Sequence, residues 1–425
     1  MNGSLRASRV GFASVALLAA VALTACGTAS PGSGNGAAGS SPVAGSSSPT
    51  ASGGASSASA SAVGGASSTA AAGPASSAAS STVSVPSGGP VPTGFAAASV
   101  TFVSTDQAFV LGTAPCAKAP CTSILRTLDR GASWRGLPAP VAPLASPSEV
   151  AGPAVWGIRF ANPLDGFVFG NGLWETTDGG EHWASADSPG SSIESLEVID
   201  GQVLAVTATC TPDGGCGQTG TLMRRALAGG GWQVVRQVSD HGAIATRARV
   251  AAVLDGATVI VTANGGISTV THAAPCSAEG IIVPAALAVT SPNGLALLCA
   301  GNGAAGSVDK TVYVSDDLGA HWTKAGSPAR GGDPEEISAG STSQLVVSAA
   351  SGASMLYYSA DGGARWSTAY YAGDGGLGFN DLGFTTATAG VVVYGPVLSD
   401  DNAEGRPGRL LLTSNGGASW QSVAF

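Results

Sequence analysis

Beyond residue 95 the hydrophobic positions fall in short runs separated by turn-forming residues. In one unit, apolar and β-branched runs at 155–161, 167–170 and 173–177 are separated by the turn sequences 163–166 (Pro-Leu-Asp-Gly) and 171–172 (Asn-Gly). Short runs with these boundaries predict β-strands joined by tight hairpin turns. No stretch after residue 95 has apolar residues at helical spacing over a useful length. The pattern therefore predicts an all-β domain.

An eight-residue motif, Ser/Thr-x-Asp-x-Gly-x-x-Trp, recurs along this part of the chain and is clearest at residues 176–183. Further copies occupy 127–134, 315–322, 359–366 and 413–420, and a degenerate copy at 225–232 keeps only the Gly and the Trp. The residues at the Asp and Trp positions of the motif are Asp129, Trp134, Asp178, Trp183, Trp232, Asp317, Trp322, Asp361, Trp366, Asn415 (in place of Asp) and Trp420. Six of the eight Trp residues thus stand at one position of a repeat.

The motif has the chemistry of a tight connection between two strands. A carboxylate at its third position can accept hydrogen bonds from backbone N–H groups of the turn. A Gly at the fifth position permits a positive φ, and the Trp supplies a large apolar wedge for the core. Because the Trp recurs at the same place, packing between repeats explains it better than six ligand contacts. We expect the motif to be structural.

The spacing of the motif predicts the number of repeats. Copies begin at 127, 176, 225, 315, 359 and 413, so the gap of 90 residues hides one missing copy. Equal spacing places that copy near Val270, where Thr271-His272-Ala273 would replace Thr-Asp-Gly. Seven units of about 47 residues fall in the range of propeller repeats. We predict a seven-bladed β-propeller with four-stranded antiparallel blades, preceded by a disordered tether.

The octets resemble the Asp-box, or bacterial neuraminidase repeat, of sialidases, sortilin-type receptors, some plant-polysaccharide hydrolases and photosystem II assembly-factor-like proteins. The resemblance implies that each box is the turn between the third and fourth strands of a blade. It also implies that the boxes lie on the face away from the ligand site. It is specific for the fold and says little about the chemistry.

The N-terminus has the features of a secretion signal. Arg6 and Arg9 precede an apolar stretch at 10–23, which is short for a membrane span. Leu23-Thr24-Ala25-Cys26 then resembles a bacterial lipobox, in which Cys26 is lipidated; the alternative is an ordinary signal peptide with an incidental Cys. We predict a signal peptide at 1–25, an Ala/Ser/Gly/Pro-rich tether at 26–94 and the propeller at 95–425. The protein would then be anchored to the outer face of the bacterial cell membrane.

Cysteine usage fits that location. The chain has seven Cys, and lipidation of Cys26 would leave six for disulfides in an oxidising compartment. Short separation and matching positions in their blades predict the pairs Cys116–Cys121 and Cys210–Cys216. The pair Cys276–Cys299 follows by elimination.

Charge and ligand spacing exclude several classes of function. The formal charge is −9, and loss of Arg6 and Arg9 would make it −11, which does not favour nucleic acid. His182 and His321 belong to separate blades, and the other two His have no metal-ligand spacing. An acidic loop at 400–404 could offer oxygen ligands to Ca²⁺, but its spacing is not an EF-hand and a solvated loop is the simpler interpretation. We predict no cofactor and no metal.

Catalytic residues are not evident. The Arg-Ile-Pro segment of sialidases is absent, although Arg159, Arg247 and Arg249 lie on first strands and could gather at a channel; ion pairing between blades is the alternative. Glycoside hydrolysis needs two carboxylates on one face, roughly 5–9 Å apart. The candidates are Glu194, Glu197, Glu335, Glu336 and Asp381. The alternative is that these carboxylates are exposed to solvent at the rim of the propeller and have no catalytic role.

The leading hypothesis is a monomeric, non-catalytic propeller that binds a protein or a glycan at the cell envelope. The longest connections, at 113–121, 208–220, 300–310 and 395–409, are predicted to join second to third strands, opposite the boxes. The binding site would lie there, around the channel mouth, and the residues proposed for it are Trp156, Arg159, Glu194, Glu336 and Asp381. The alternatives are a glycoside hydrolase of the sialidase-like Asp-box type and an extracytoplasmic assembly factor.

Overall fold

The computed structural model describes residues 87–145, 152–210, 216–239, 242–263, 268–276, 283–395 and 408–425. The predicted signal peptide, Cys26, nearly all of the predicted tether, His241 and the acidic loop at 400–404 lie outside these ranges. Within them, 28 strands form seven four-stranded antiparallel sheets. No helix in the described ranges is long and apolar enough to cross a membrane. The sheets are the blades of a seven-bladed β-propeller, as predicted.

Each blade contains four consecutive strands in simple up-and-down order. Blade one contains β1 (Ala96–Phe102), β2 (Ala108–Thr113), β3 (Thr122–Thr127) and β4 (Arg135–Leu137). Blade two contains β5 (Val155–Phe160), β6 (Gly166–Gly170), β7 (Leu173–Thr176) and β8 (Ala184–Ala186). Blade three contains β9 (Ser192–Ile199), β10 (Gln202–Cys210), β11 (Cys216–Ala226) and β12 (Gln233–Val238). Blade four contains β13 (Ile244–Arg247), β14 (Val250–Asp255), β15 (Thr258–Ala263) and β16 (Ser268–Ala273).

The remaining three blades have the same organisation. Blade five contains β17 (Val283–Ser291), β18 (Gly294–Ala304), β19 (Ser307–Ser315) and β20 (Thr323–Gly326). Blade six contains β21 (Asp333–Ala339), β22 (Leu345–Ala350), β23 (Gly352–Ser359) and β24 (Ser367–Gly375). Blade seven contains β25 (Phe379–Phe384), β26 (Gly390–Tyr394), β27 (Arg409–Thr413) and β28 (Gln421–Ser422).

The first strands line the central channel and close the ring. Each first strand contacts the first strand of the next blade, and β25 contacts β1. In the described ranges every blade is built from four consecutive strands, and blade seven is built from the last four. The C-terminal Phe425 instead packs edge-on against Phe95 and Trp134, with ring centroids 5.0 and 5.4 Å apart. Aromatic packing therefore contributes to joining the two ends of the domain.

The core lies between the blades. The second strands are the most buried, and every residue of β6 and β26 is buried. A strand covered on both sheet faces needs apolar residues on both, which explains the continuous apolar runs in the sequence. Phe109 of blade one and Phe160 of blade two stack face to face across one such interface. The outer strands are exposed, β16 almost completely.

The position predicted for the missing box is wrong. Residues 271–273 lie within β16, whereas the connection between the third and fourth strands of blade four falls at 264–267. The sequence around it, Thr262-Ala263-Asn264-Gly265-Gly266, matches the box at 413–420 at positions one, three, four and five, and Thr269 stands where the Trp would be. Equal spacing failed because the connections between blades differ in length. The degenerate copy was visible in the sequence as Thr-x-Asn-Gly-Gly.

Two of the three predicted disulfides are present. Cys116–Cys121 closes the connection between β2 and β3, with Cα atoms 5.5 Å apart. Cys276–Cys299 ties the segment after β16 to β18, so it joins blade four to blade five. Cys210 and Cys216 are register partners of β10 and β11, but their side chains are outside what the structure describes. The bond between them stays a prediction.

Candidate functional site

The boxes form one turn structure that is repeated in five blades. In blade six, Ser359 Oγ donates to Asp361 Oδ1 at 3.0 Å and accepts the N–H of Gly363 at 2.8 Å. Asp361 Oδ1 also accepts the N–H of Arg365 at 2.8 Å. The same three hydrogen bonds recur in the boxes that begin at 127, 176, 315 and 413. The side chains of positions one and three therefore replace the missing partners of the turn backbone.

Two consecutive residues of each turn have left-handed backbone. The fifth position has φ between +84° and +100° and is always Gly, as the sequence predicted. The fourth position is left-handed too, and there Arg130 and Leu318 have φ of +65° and +59°. The sequence did not predict the left-handed fourth position, because only three of the five copies carry Gly there. A non-Gly residue in this region costs about 1 kcal/mol, so the turn is held against local strain.

The box Trp side chains tie strands and blades together. The indole N–H donates to the carbonyl of the box Gly in three copies, for example from Trp420 to Gly417 at 3.0 Å. In two copies it reaches the preceding blade instead. Trp183 donates to the Pro138 carbonyl at 3.1 Å and Trp232 to the Asp187 carbonyl at 2.9 Å. These contacts support a structural role for the box.

The two faces of the disc differ in their connections. Boxes join third to fourth strands, and in an up-and-down blade the connections between second and third strands lie at the opposite end. We call these ends the box face and the loop face. The long connections predicted at 113–121, 208–220, 300–310 and 395–409 all fall between a second and a third strand, at the loop face. Two of them were predicted too long, because β10 and β11 are separated only by 211–215, and β18 and β19 only by 305–306.

A buried lysine holds the loop-face hairpin of blade five. Lys310 is only 1% exposed, and its ammonium donates to the carbonyls of Val308, Ala329, Arg330 and Gly331 at 2.8–3.2 Å. Burial lowers its pKa to about 8. The carbonyls belong to the hairpin itself and to the segment that enters blade six. The ammonium therefore fixes the hairpin against the next blade.

Bulges in the first strands shape the channel. Six of the seven first strands carry a register shift against the second strand, and β13 is the exception. The shift in β21 leaves Glu335 and Glu336 outside the ladder, and the shift in β25 leaves out Asp381 and Leu382. A bulge re-aims side chains and frees backbone N–H groups from the ladder. The freed groups need other partners.

The bulges bring together a charged group, which we call the channel cluster: Ser99, Arg159, Glu197, Glu336 and Asp381. Arg159 Nε donates to Glu197 Oε1 and Nη2 donates to Asp381 Oδ1, both at 2.7 Å. These bonds join blade two to blades three and seven. About one fifth of each of the three side chains is exposed. The cluster is therefore set between the first strands but still accessible from the channel.

Asp381 is the centre of this network. Its Oδ2 accepts the Ser99 hydroxyl at 2.6 Å and the Val100 N–H at 3.0 Å, which adds blade one. Its own backbone has φ of +55°. The N–H groups of Asp381 and Leu382 donate to Oε1 and Oε2 of Glu336 at 3.1 and 2.9 Å. Glu336 of blade six thus satisfies the two N–H groups that the bulge of blade seven releases.

Burial dominates the electrostatics of the cluster. Burial, followed by the nearby charge of Asp381, raises the pKa of Glu336 to about 7. Burial also raises the pKa of Glu197, against the lowering effect of Arg159. Burial opposes the charge on Arg159, but Asp381 and Glu197 outweigh it and raise its pKa. With one Arg and three carboxyl groups, the cluster is negative when all are ionised.

The sequence predicted this site in part. Arg159, Glu336 and Asp381 come together as expected, but they lie along the channel rather than at its rim, because they stand inside their strands. Trp156 does not join them. It is the bulged residue of β5, only 7% exposed, and packs in an apolar cluster between blades two and three. The bulge breaks the two-residue alternation from which its direction was predicted.

Glu194 is also apart from the cluster. It is the bulged residue of β9 and accepts the Ser192 hydroxyl. Glu197 lies in the channel cluster, where the sequence predicted Glu194. Glu197 itself was predicted only as a possible catalytic carboxylate. The hydroxyl of Ser99 was missed altogether, and its only signal was a polar residue in the apolar run of β1.

The three Arg residues predicted on first strands do not form one anion site, and Arg249 lies in the turn between β13 and β14 rather than on the first strand. Arg247 donates from Nε to the Val289 carbonyl at 3.1 Å, and from Nη2 to the carbonyls of Ala339 and Gly340, so it links blades four, five and six. Arg249 pairs with Asp200 at 2.8 Å. The carboxylate-binding triad of sialidases therefore has no counterpart among these three residues, and the alternative of contacts between blades describes them better.

One group of side chains in the described part of the chain brings possible metal-ligand atoms together. Among the described residues, Asp178, Glu181 and His182 bring ligand atoms within 4.8 Å of one another. Here His182 Nδ1 and Asp178 Oδ2 are already 2.7 Å apart in a hydrogen bond. The bond belongs to a box turn, and His321 makes the same one with Asp317. The group is thus part of the turn structure.

The fold and the channel define the class of protein as a seven-bladed β-propeller. No protein-family model matches the sequence, and no curated protein is significantly similar to it. Among solved structures, YCF48 bound to D1 peptide aligns with 77% of this chain and 95% of its own, at 16% identity and a TM-score of 0.50. YCF48 from Cyanidioschyzon merolae has the same coverage, 15% identity and a TM-score of 0.47.

Two GH74 enzymes also align with this chain, at lower TM-scores. The GH74 enzyme of Niastella koreensis aligns with 77% of this chain and 71% of its own, at 14% identity and a TM-score of 0.31. The GH74 xyloglucanase of Xanthomonas campestris covers 77% and 72%, at 13% identity and a TM-score of 0.28. At these identities the likeness concerns the fold alone.

Proposed function

We propose that this protein is a non-catalytic binding protein whose loop face holds a peptide segment of a partner protein. The channel cluster would form the polar floor of the site. The observation that carries the proposal is the fixation of the loop face. Cys116–Cys121 closes one loop-face connection, and the buried Lys310 ammonium fixes another.

Burying a lysine is costly unless its ammonium is fully paired. Connections that had merely lengthened without a role would not require such a device. A loop that is already ordered loses less entropy when a partner binds, and this raises affinity. YCF48, which shares the fold, has been solved with a D1 peptide. That structure supports peptide binding by a propeller of this size, without indicating which peptide.

The predicted location would place the partner at the cell envelope. We propose that Cys26 is lipidated and that the 26–94 segment tethers the propeller to the outer face of the cell membrane, as the sequence pattern predicts. Mass spectrometry of the mature N-terminus tests this proposal. A diacylglyceryl Cys26 is expected, and an unmodified Cys26 or cleavage at another bond would refute it.

One observation favours a glycoside hydrolase as a second candidate. Two carboxyl groups with separated pKa values form the usual acid and base pair, and the pKa of Glu336 is raised to about 7 beside Asp381. However, both oxygens of Glu336 and both of Asp381 already accept hydrogen bonds from the protein. Neither group is free to attack a sugar or to protonate a leaving group, so we favour binding. Turnover of any aryl glycoside that is lost in Glu336→Gln would reverse this choice.

The binding function can be tested by peptide selection. Random peptides displayed on phage are selected on the immobilised protein, and their affinities are measured by fluorescence anisotropy. Variants that loosen the loop face, Lys310→Met and the paired Cys116→Ala with Cys121→Ala, should weaken binding at least tenfold. Box-face variants with an added charge, Ala132→Lys and Ala364→Lys, serve as matched controls and should bind normally.

A melting curve for each variant checks that the propeller is intact at the assay temperature. If the box-face variants lost binding and the loop-face variants kept it, the site would lie on the box face and the proposal would be wrong. A selection that yields no binding peptide would contradict the peptide proposal.

A further inference from the structure

A groove on the outer side of the disc, between blades one and two, belongs neither to the channel nor to the loop face. Its volume is about 370 Å³, and it is more open to solvent than enclosed. The residues that define it are Pro138, Val141, Trp174, Glu181, Trp183 and Ser185.

One wall comes from the long connection between blades one and two. It follows β4 directly and is fixed by the hydrogen bond from the Trp183 indole to the Pro138 carbonyl. Val141 projects from this wall and is 86% exposed. Trp183 also packs edge-on against Phe160, with ring centroids 6.0 Å apart. The wall and the indole therefore have fixed positions before any ligand arrives.

Trp174 is the unusual feature. It stands two residues before the box, and the residues at this position in the other six blades are all buried: Leu125, Met223, Ile260, Tyr313, Tyr357 and Leu411. Trp174 alone is only partly buried and contributes to the groove. Its ring lies over Gly172, where a Cβ atom would come within 2.8 Å of the indole. The neighbouring Gly thus makes room for an indole that packs against the core between blades one and two and also lines the groove.

Polar groups stand beside the two indoles. Ser185 is the cross-strand partner of Trp174, so both lie on the same face of blade two. Glu181 and His182 line the same groove and are exposed. The bond between His182 Nδ1 and Asp178 holds the imidazole in place. The groove therefore combines two aromatic surfaces with a carboxylate, an imidazole and a hydroxyl.

We propose that this groove binds a pyranose ring of an oligosaccharide. A pyranose has an apolar face of C–H groups that packs on an indole, and hydroxyl groups around its edge that need donors and acceptors. The Glu181 carboxylate and the Ser185 hydroxyl can supply them, and charged acceptors make the stronger hydrogen bonds. A proline-rich peptide could also pack on the indoles, but Pro has no backbone N–H to donate to the Glu181 carboxylate. This site is independent of the proposed peptide site on the loop face.

Indole NMR signals can test the proposal on the full-length protein. The chain has eight Trp, and the signals of Trp174 and Trp183 are assigned from Trp174→Phe and Trp183→Phe. Chitotetraose, cellotetraose and xylotetraose are the probes, each titrated to millimolar concentration. At least one should shift both signals in a saturable way, and Glu181→Gln, an exposed change, should weaken that binding at least fivefold.

Trp232→Phe is the matched control, because it alters the equivalent box indole one blade away and should leave sugar affinity unchanged. Three outcomes would overturn the proposal. They are no shift with any probe, shifts of other indoles only, and shifts of these two indoles by a proline-rich peptide but by no sugar.

Discussion

Glu336 of blade six accepts the backbone N–H of Asp381 of blade seven at 3.1 Å, and this contact joins two β-bulges across the channel wall. The bulge in β25 releases two N–H groups, and the bulge in β21 directs the carboxylate that accepts them. Asp381 in turn accepts from blade one and pairs with Arg159 of blade two. A break in the hydrogen-bond ladder thus becomes a link between blades.

This contact predicts that stability depends on pH. The pKa of Glu336 is about 7 in the folded protein, above the ordinary value of 4.5 that it has in the unfolded chain. Ionising a carboxyl group whose pKa is raised by folding lowers the stability of the folded state. This loss is absent below the unfolded pKa and is complete above the folded pKa. The free energy of unfolding should therefore fall between pH 4.5 and pH 7, by up to about 3 kcal/mol from this group.

Urea unfolding at pH 5 and at pH 8 measures the effect. Glu336→Gln should remove most of the pH slope, because it cannot ionise, whereas Glu181→Gln at an exposed position should leave the slope unchanged. A variant Glu336→Gln with the full slope of the parent would show that other carboxyl groups, such as Glu197, are responsible.

The box Trp residues should differ in their contribution to stability. Trp420 is 8% exposed and donates within its own turn, whereas Trp183 is partly exposed beside the groove. Trp420→Ala should lower the free energy of unfolding by about 3–5 kcal/mol, the usual cost of emptying a buried aromatic site. Trp183→Ala should cost clearly less. Chemical denaturation of both variants checks the order, and equal losses would argue against it.

The repeat motif was a sufficient signal for the fold, because its turn needs a specific set of side chains that the sequence displays. The channel cluster was only partly predictable, because strand alternation assumes a regular ladder. Bulges at Trp156 and Glu194 interrupt that alternation, so their predicted directions failed. Arg159 and Asp381 were found because a charged residue in an apolar first strand stands out. Nothing in the sequence pattern indicated that Trp174 would be less buried than its equivalents.

The left-handed fourth position of the box offers a matched pair of substitutions. Arg130 has φ of +65° and is exposed, whereas Gly179 holds the equivalent position in the next box at φ of +76°. Arg130→Gly should stabilise the protein by up to about 1 kcal/mol, since Gly has no Cβ penalty there. Gly179→Ala should destabilise it by a similar amount. The exposed Arg130–Asp106 ion pair that is lost adds little. The melting temperature should rise in Arg130→Gly and fall in Gly179→Ala. A shift in the same direction in both variants would contradict the backbone argument.

The two observed disulfides should contribute unequally, because they close loops of different length. Cys276 and Cys299 are 23 residues apart, and Cys116 and Cys121 are 5 apart. Restriction of the unfolded chain alone gives about 3 kcal/mol for the longer loop and about 2 kcal/mol for the shorter. The longer bond also joins two blades and is buried in the core, whereas the shorter lies in an exposed connection.

Paired Cys→Ala variants, unfolded in urea, should therefore lose more stability at 276 and 299 than at 116 and 121. Peptide mapping without reduction confirms which bonds form, and it also tests Cys210–Cys216. A larger loss at 116 and 121 would show that order in the loop-face connection matters more to the fold than the link between blades four and five.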